Sequence, residues 1–407
     1  MNAINKSGNV RVAFDSAALK ACYRNHGIQV YARNLLGSLR EAAPRYGMEI
    51  RPFVSLYGAD SAVFTAAISK EGPNFLPRKT LLLQFDRLWR YGGASAAAFL
   101  DGADIMLNPN GASLPIGALI PTVTTIHDLT PMVQPSFSRR ITFLLKLLLR
   151  RSAKASAAII TVSENSKRDI VRICGVDESK VHVVYEGYDR ALFNDAKPEP
   201  VALQALLARM GIRRPYVLHH GAVQPRKNLV RLISAYRLML ERNSALDFDL
   251  VLAGPLAWQF EDVVAAAENK AVSRGKVILT GALSDQDLSL LLRGAALEVI
   301  PSFYEGFCLP MVEAMACGVP TIVSNSSCLP EVSGGTLRYF EPYSIEDMSA
   351  CMQEALQSAD LRAELSARGR HHAKKFTWEL CAEETLAVLE KVVHTVPVKA
   401  RIAGASL

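Results

Sequence analysis

The chain has 407 residues, half of them hydrophobic and 21% charged, which fits a soluble globular protein too long for one ordinary core and so predicts two domains. Lysine and arginine outnumber aspartate and glutamate by 46 to 39, a net charge of +7, which suits an anionic ligand or an anionic membrane surface and, with no aromatic–basic module beside it, argues against nucleic acid. The seven cysteines (Cys22, Cys174, Cys308, Cys317, Cys328, Cys351, Cys381) show no CxxC spacing, the first residues lack the apolar core of a signal peptide and no run nears eighteen apolar residues, so a reduced, cytoplasmic setting is expected, without a disulfide frame, structural zinc or membrane span.

Residues 10–17 (VRVAFDSA) read as a first strand, followed by a loop with Gly27 and a helix from Gln29. A glycine before a helix can gather backbone N–H groups around an anion, or can be an ordinary left-handed loop residue. Strand-like runs follow at 49–56, 104–108 and 121–126, the last ending in His127-Asp128. A histidine just past a strand lies where open α/β sheets bind ligands, although such a residue is commonly structural. Asp128 would orient its ring or cap the loop. Residues 139–155 (RRITFLLKLLLRRSAKA) form a basic amphipathic helix. It could dock on anionic lipid, but a packed helix with its cations reaching out to water is preferred. A strand at 157–164, a helix over Asn165–Cys174 and a strand in VHVVYEGYD close the first half.

Charges, prolines and a short helix follow, and PYVLHHGAV opens a second α/β unit. Its strand enters a turn with Gly221 and Pro225, then Arg226, Lys227 and a helix. Cations at a helix N-terminus oppose its dipole, so a bound anion would offset their cost. DFDLVLAGP is another strand entering a glycine turn, and KVILTGALSDQDLSLLLRGAALEVI gives strand, loop, helix and strand. The apolar run 297–300 leads through a loop with Gly306 into a helix that Pro310 starts and Gly318 stops. Glu305 and Glu313 flank that helix start. Eight helical steps would set them roughly 12 Å apart, against about 5 Å for the carboxyl pair of a retaining glycosidase. They suit two ends of one long ligand, with phosphates between them. Strands in TIVSNSSCLPEVSG and LRYFEP, a helix over Ile345–Gln357 and one long helix from His371 to Val393 finish the chain.

Some motifs tempt without fitting. Asp247-Phe248-Asp249 and Asp285-Gln286-Asp287 lack a third hard ligand, His219-His220 and His371-His372 lack metalloprotease spacing, and Cys308 has no histidine beside it to make a nucleophile. No metal is expected.

EGFCLPMVEAMACGVP (305–320) resembles the E-x7-E segment of family-4 retaining glycosyltransferases of the GT-B fold, with Cys308 where the family usually has glycine. TIHD (125–128) and PRKN (225–228) resemble two further family stretches, with Ala222 where many members carry arginine. The resemblance implies an α/β protein of two Rossmann-like domains facing across a cleft. Residues 1–192 would form the acceptor domain, 193–375 the donor domain and 376–395 a helix crossing back to the first. It assigns donor contacts to Gly27, Gly221, Arg226, Lys227, Gly281, Glu305, Phe307, Cys308, Leu309 and Glu313. Catalytic roles go to His127, Glu305, Arg226 and Lys227. No cofactor is implied, the nucleotide diphosphate sugar being a co-substrate. The variants look most like bacterial polysaccharide mannosyltransferases, implying GDP-mannose and a lipid-linked or growing glycan acceptor at the inner face of the membrane. Rhamnose or glucose donors, a nucleotide-sugar epimerase and a non-catalytic glycan- or membrane-binding partner are the alternatives. A product assay with and without acceptor separates the epimerase, and complementation by a Lys227→Ala/Glu305→Ala double variant tests for the non-catalytic partner.

Overall fold

The computed structural model describes residues 9–19, 27–53, 95, 98–99, 101–110, 119–133, 139–269 and 274–395. Cys22, the end of the second predicted strand (54–56) and the tail from 396 lie outside them. The chain forms two compact units, Met1–Gly187 with Thr377–Leu407, and Tyr188–Phe376. The first break falls a few residues before the expected 192/193.

Unit 1 holds β1 (Val10–Asp15), α1 (Gly27–Ala42), β2 (Met48–Phe53), β3 (Ile105–Asn108), β4 (Thr122–Thr125), α2 (Arg139–Ala155), β5 (Ala158–Thr161), α3 (Glu164–Cys174) and β6 (Val181–Val183). Its strands make one parallel sheet in the order β2-β1-β3-β4-β5-β6. β3, β4 and β5 are buried along their whole length, as strands covered on both faces must be. Ser163 caps α3 by accepting from Ser166 N, and Gly175 at φ 65° ends it.

Unit 2 holds α4 (Pro200–Met210), β7 (Tyr216–His220), α5 (Leu229–Arg242), β8 (Asp249–Ala253), α6 (Glu261–Glu268), β9 (Val277–Gly281), α7 (Asp285–Arg293), β10 (Leu297–Ile300), α8 (Leu309–Ala316), β11 (Thr321–Ser324), β12 (Arg338–Phe340), α9 (Ile345–Gln357) and α10 (Ala359–Ala373). The sheet order is β12-β11-β10-β7-β8-β9, again parallel. Strand order reverses between β7 and β10, and ligands of such sheets bind beyond the strand ends at that point.

The single last helix read from the sequence is two. α10 stops at Ala373 and α11 (Trp378–Thr395) begins after Thr377, whose Oγ1 accepts from Leu380 N. In the break, Phe376 buries its ring edge-on to Phe307 and His372, which a continuous helix would not allow. α11 packs on α1, and Trp378 stands edge-on to Tyr31 with ring centroids 5.9 Å apart. Among the described residues no helix is long and apolar enough to cross a membrane.

Candidate functional site

The loops after β7 and β10 meet at the switch point of unit 2. Pro225–Lys227 form a 3₁₀ turn, and Asn228, at φ 59°, starts α5. Asn228 Nδ2 donates to Pro301 O (3.0 Å) and Pro342 O (2.8 Å), while Phe303 N donates to Arg226 O (2.9 Å). The PRKN turn is thereby fixed against the segment carrying Glu305.

Glu305 is 4% exposed and holds both cations. Lys227 Nζ lies 2.7 Å from its Oε1, and Arg226 Nη1 donates to its Oε2 and to Tyr304 O (3.0 Å). Burial alone would raise this carboxyl, but the charges of Arg226 and Lys227 outweigh it and hold the group down at about 2. The anion that offsets the two cations is therefore a side chain of the protein itself. Gly221 lies beside the lysine at φ 136°, a backbone conformation that residues with a side chain rarely adopt.

Glu313, five residues into α8, faces a partner that the sequence reading passed over. His220 Nε2 lies 3.2 Å from Glu313 Oε2, and its Nδ1 lies 3.0 Å from Glu298 Oε1, which also accepts from His220 N (3.1 Å). Burial disfavours the imidazolium, but the two carboxylates prevail and hold His220 up at about 9. Glu298 sits fully buried inside β10, in the run read as plainly apolar. Burial pushes its own carboxyl upward. A charge in an otherwise apolar strand needs a partner, and that was the available signal. His219 beside it stays neutral, lowered to about 3 by burial and then by Lys227, with its Nδ1 on Val299 O at 2.9 Å.

The start of α8 brings Phe307, Cys308 and Leu309 next to this cluster. Phe307 is buried against Phe376, with centroids 5.3 Å apart. Cys308 takes the left-handed conformation at φ 74°, where the family's usual glycine would be unstrained. Burial pushes its thiol up to about 12, which excludes it as a thiolate nucleophile at neutral pH. A run of serines braces the loop: Ser324, Ser326 and Ser327 donate to Ser302 O (2.6 Å), Phe303 O (2.7 Å) and Glu305 O (2.6 Å). Gly281 ends β9 at φ 70°, and its carbonyl accepts from Gly254 N (3.1 Å).

In unit 1, His127 follows β4 with both ring nitrogens engaged. Nδ1 lies 3.2 Å from Glu186 Oε1, and Nε2 lies 3.0 Å from Pro109 O. Burial opposes its cation, but Glu186 overcomes this and raises the group above the ordinary imidazole value. Glu186, from the VYEGYD stretch, orients the ring, whereas Asp128 caps the loop by accepting from Thr130 N (2.8 Å). Gly27 is the first residue of α1, exposed and with open space around its α-carbon.

The two DxD tripeptides are engaged elsewhere. Asp247 and Asp249 pair with Arg214 at 2.8 and 3.3 Å, and Asp287 pairs with Arg209 at 2.7 Å. Among the described residues, no group of three His, Cys, Asp or Glu is placed to hold a metal ion.

Residues 24–192 match Glycosyltransferase Family 4, and residues 211–372 match Glycosyl transferases group 1. O-antigen chain mannosyltransferase B of Escherichia coli is 32% identical over 316 residues, 77% of this chain and 81% of that protein. Serotype-specific mannosyltransferase WbdA of Escherichia coli is 30% identical over 267 residues, 63% of this chain but only 32% of that longer protein. The structure of Anabaena Alr3699/HepE in complex with UDP-glucose superposes with a TM-score of 0.68 at 16% identity, covering 94% of this chain and all of that one. Together with the two parallel sheets, these matches place the chain in the family-4 glycosyltransferases of the GT-B fold.

Proposed function

We propose that the protein transfers mannose from GDP-mannose, with retention of configuration, to a lipid-linked or growing glycan during assembly of a bacterial surface polysaccharide. The observation that carries this reading is the Arg226–Lys227–Glu305 cluster at the switch point of unit 2, with Glu313 beyond it. Mannose as the sugar draws on the relatives that are mannosyltransferases. A nucleotide diphosphate sugar as donor draws further support from the UDP-glucose complex of the structural neighbour.

In this reading the donor's diphosphate takes Arg226 and Lys227 from Glu305, at the dipole end of α8 and the amides of Phe307, Cys308 and Leu309. Glu305, released, accepts hydrogen bonds from the sugar hydroxyls, and Glu313 accepts them from the ribose diol. Gly221 and Gly281 let the backbone approach the ligand. The bond from the anomeric carbon to the phosphate oxygen breaks, and an acceptor hydroxyl forms its bond on the same face. The hydroxyl proton passes to the departing phosphate oxygen. His127 and the helix start at Gly27 serve the sugar and acceptor side. Side chains and amides neutralise the leaving group, so a chelator leaves turnover unchanged.

α2 supports a peripheral contact with an anionic membrane surface at the cytoplasmic face. The helix packs through Leu149 and Ala153, as the sequence reading preferred, but Phe143 is 70% exposed, with Leu144 and Leu147 also exposed, so it keeps an outward apolar strip as well. Arg150, Arg151 and Lys154 continue the exposed face. Such a strip buries its apolar end among acyl chains and sets its cations on anionic headgroups.

The test is a thermal-shift panel of GDP-, UDP- and dTDP-sugars, followed by product analysis with and without a mannan-type acceptor. GDP-mannose should raise the melting temperature most, and an α-mannosyl product should form only with acceptor. Stabilisation by another base overturns the donor. Isomerised sugar without acceptor favours the epimerase.

A further inference from the structure

We propose that Glu298, His220 and Glu313 form a carboxylate–imidazole–carboxylate relay in which the buried pair acts as a positioning device for the carboxylate that receives the donor's ribose diol. The proposal rests on the reading of Glu313 given above. The three groups come from β10, β7 and α8, so neighbouring elements fix their spacing. Burial falls away along the line, with side chains 0% exposed at Glu298, 2% at His220 and 15% at Glu313. The relay thus runs from the sheet interior to the one carboxylate that solvent or ligand can reach. His220 Nε2 occupies Oε2 of Glu313 at 3.2 Å, which tethers the carboxylate through that oxygen and leaves Oε1 outside the contact. Glu298 Oε1 takes both Nδ1 and the backbone N–H of His220, which locks the ring about its own bonds. Oε2 of Glu298 has no hydrogen-bond partner among the described residues, so a buried carboxylate is kept there at a cost. That cost is understandable if the charge on the imidazole is what the site uses.

The charged and titratable groups around His220 are Glu298 and Glu313 across it, the neutral His219 on its own strand, and Lys227, whose charge acts on His219 and Glu298. The imidazolium persists until about pH 9 and is lost above it. A neutral ring bonded to Glu298 through Nδ1 would turn a lone pair towards Glu313 and push that carboxylate out of place.

The experiment is calorimetric titration of GDP and UDP, each beside its 2′,3′-dideoxy analogue, from pH 6 to 9.5. The ratio of the two dissociation constants isolates the ribose contact and cancels titration of base and phosphate. In the native protein the ratio should be about tenfold or more at pH 7, the usual worth of hydrogen bonds to a charged group, and should collapse near pH 9. In Glu298→Gln the collapse should move clearly below pH 9, because Glu313 alone is left to hold the charge of the buried imidazole. A native ratio that stays flat through pH 9.5, or a Glu298→Gln protein with the native midpoint, overturns the relay; the native profile needs no variant to fold. Glu313→Gln separates the two claims: a ratio near one upholds the ribose role of Glu313, whereas a native ratio there removes that role and the relay with it.

Discussion

Lys227 Nζ lies 2.7 Å from Glu305 Oε1, and Arg226 holds the other oxygen of the same carboxylate. The side chain read as a sugar contact and the two read as phosphate contacts are thus bonded to one another before any ligand arrives. A diphosphate must displace a carboxylate to bind, and its arrival frees that carboxylate for the sugar. Glu305→Gln removes the competitor, so a bare nucleoside diphosphate should bind up to about tenfold tighter, worth about 1.4 kcal/mol. Turnover should nevertheless fall. Lys227→Ala should lose both, with turnover down by about 10² to 10³. Calorimetry and single-turnover assays on the two variants check this.

The same cluster sets the acid limit of unit 2. The Glu305 carboxyl is held at about 2, below its ordinary value of 4.5. A depressed acid contributes stability above its unfolded value and loses it as the pH falls towards its folded one. The window is therefore pH 4.5 down to 2, and the contribution is about 3 kcal/mol. Urea titrations at pH 7, 4 and 3 should show this slope in the native protein. Glu305→Gln should be less stable at neutral pH, because Lys227 is left buried without its partner, and its slope through the window should be shallower.

His127 titrates with the opposite sign. Its value is raised, so the stability it contributes is full below the ordinary imidazole range and disappears as the pH rises through the raised value. Glu186→Gln should move the His127 midpoint down, as followed by the ring-proton chemical shift. A midpoint that does not move would mean that Pro109 O, and not Glu186, holds the proton.

Cys308 and Cys328 offer a matched pair of deletions. Both are buried, but Cys308 sits at φ 74° and Cys328 at φ −81°. Glycine at 308 relieves strain of about 1–2 kcal/mol, which offsets the lost thiol contacts, so its stability should stay within about 1 kcal/mol of the native protein. Glycine at 328 has no strain to relieve and should cost about 2 kcal/mol. Valine at 308 should be worse than either, because branching at Cβ disfavours positive φ.

On α2, Phe143→Ser with Leu147→Ser should abolish co-flotation with vesicles containing anionic lipid. The same protein should retain turnover on a water-soluble acceptor, because neither residue belongs to the switch-point cluster.

The frame of this site was readable from the sequence because it is built from residues with few structural uses. Gly306, Pro310 and Gly318 bracket a helix start, and PRKN places two cations at a turn. What stayed hidden depended on pairing across strands. Glu298 was absorbed into an apolar run, and only the parallel register of β10 on β7 brings it to His220. Glu186 lies 59 residues from His127, while the nearer Asp128 drew attention as its partner. Ser324, Ser326 and Ser327 gave no signal, since hydroxyls bonding carbonyls of another loop leave no periodicity. The break at 374–377 was missed because α10 and α11 are both good helices, and the aromatic contacts of Phe376 decide where they part.

The core of unit 1 contains Trp378, Cys381, Ala382, Leu386, Leu389 and Val392 alongside α1 and the strands near the N-terminus. As the chain leaves the ribosome, the segment that closes that core emerges after every residue of unit 2 has appeared. The half that starts first must therefore wait with an open apolar groove, while the half that starts second can finish at Phe376. Truncation a few turns short of residue 392 should strand the early half incomplete and leave the later half intact.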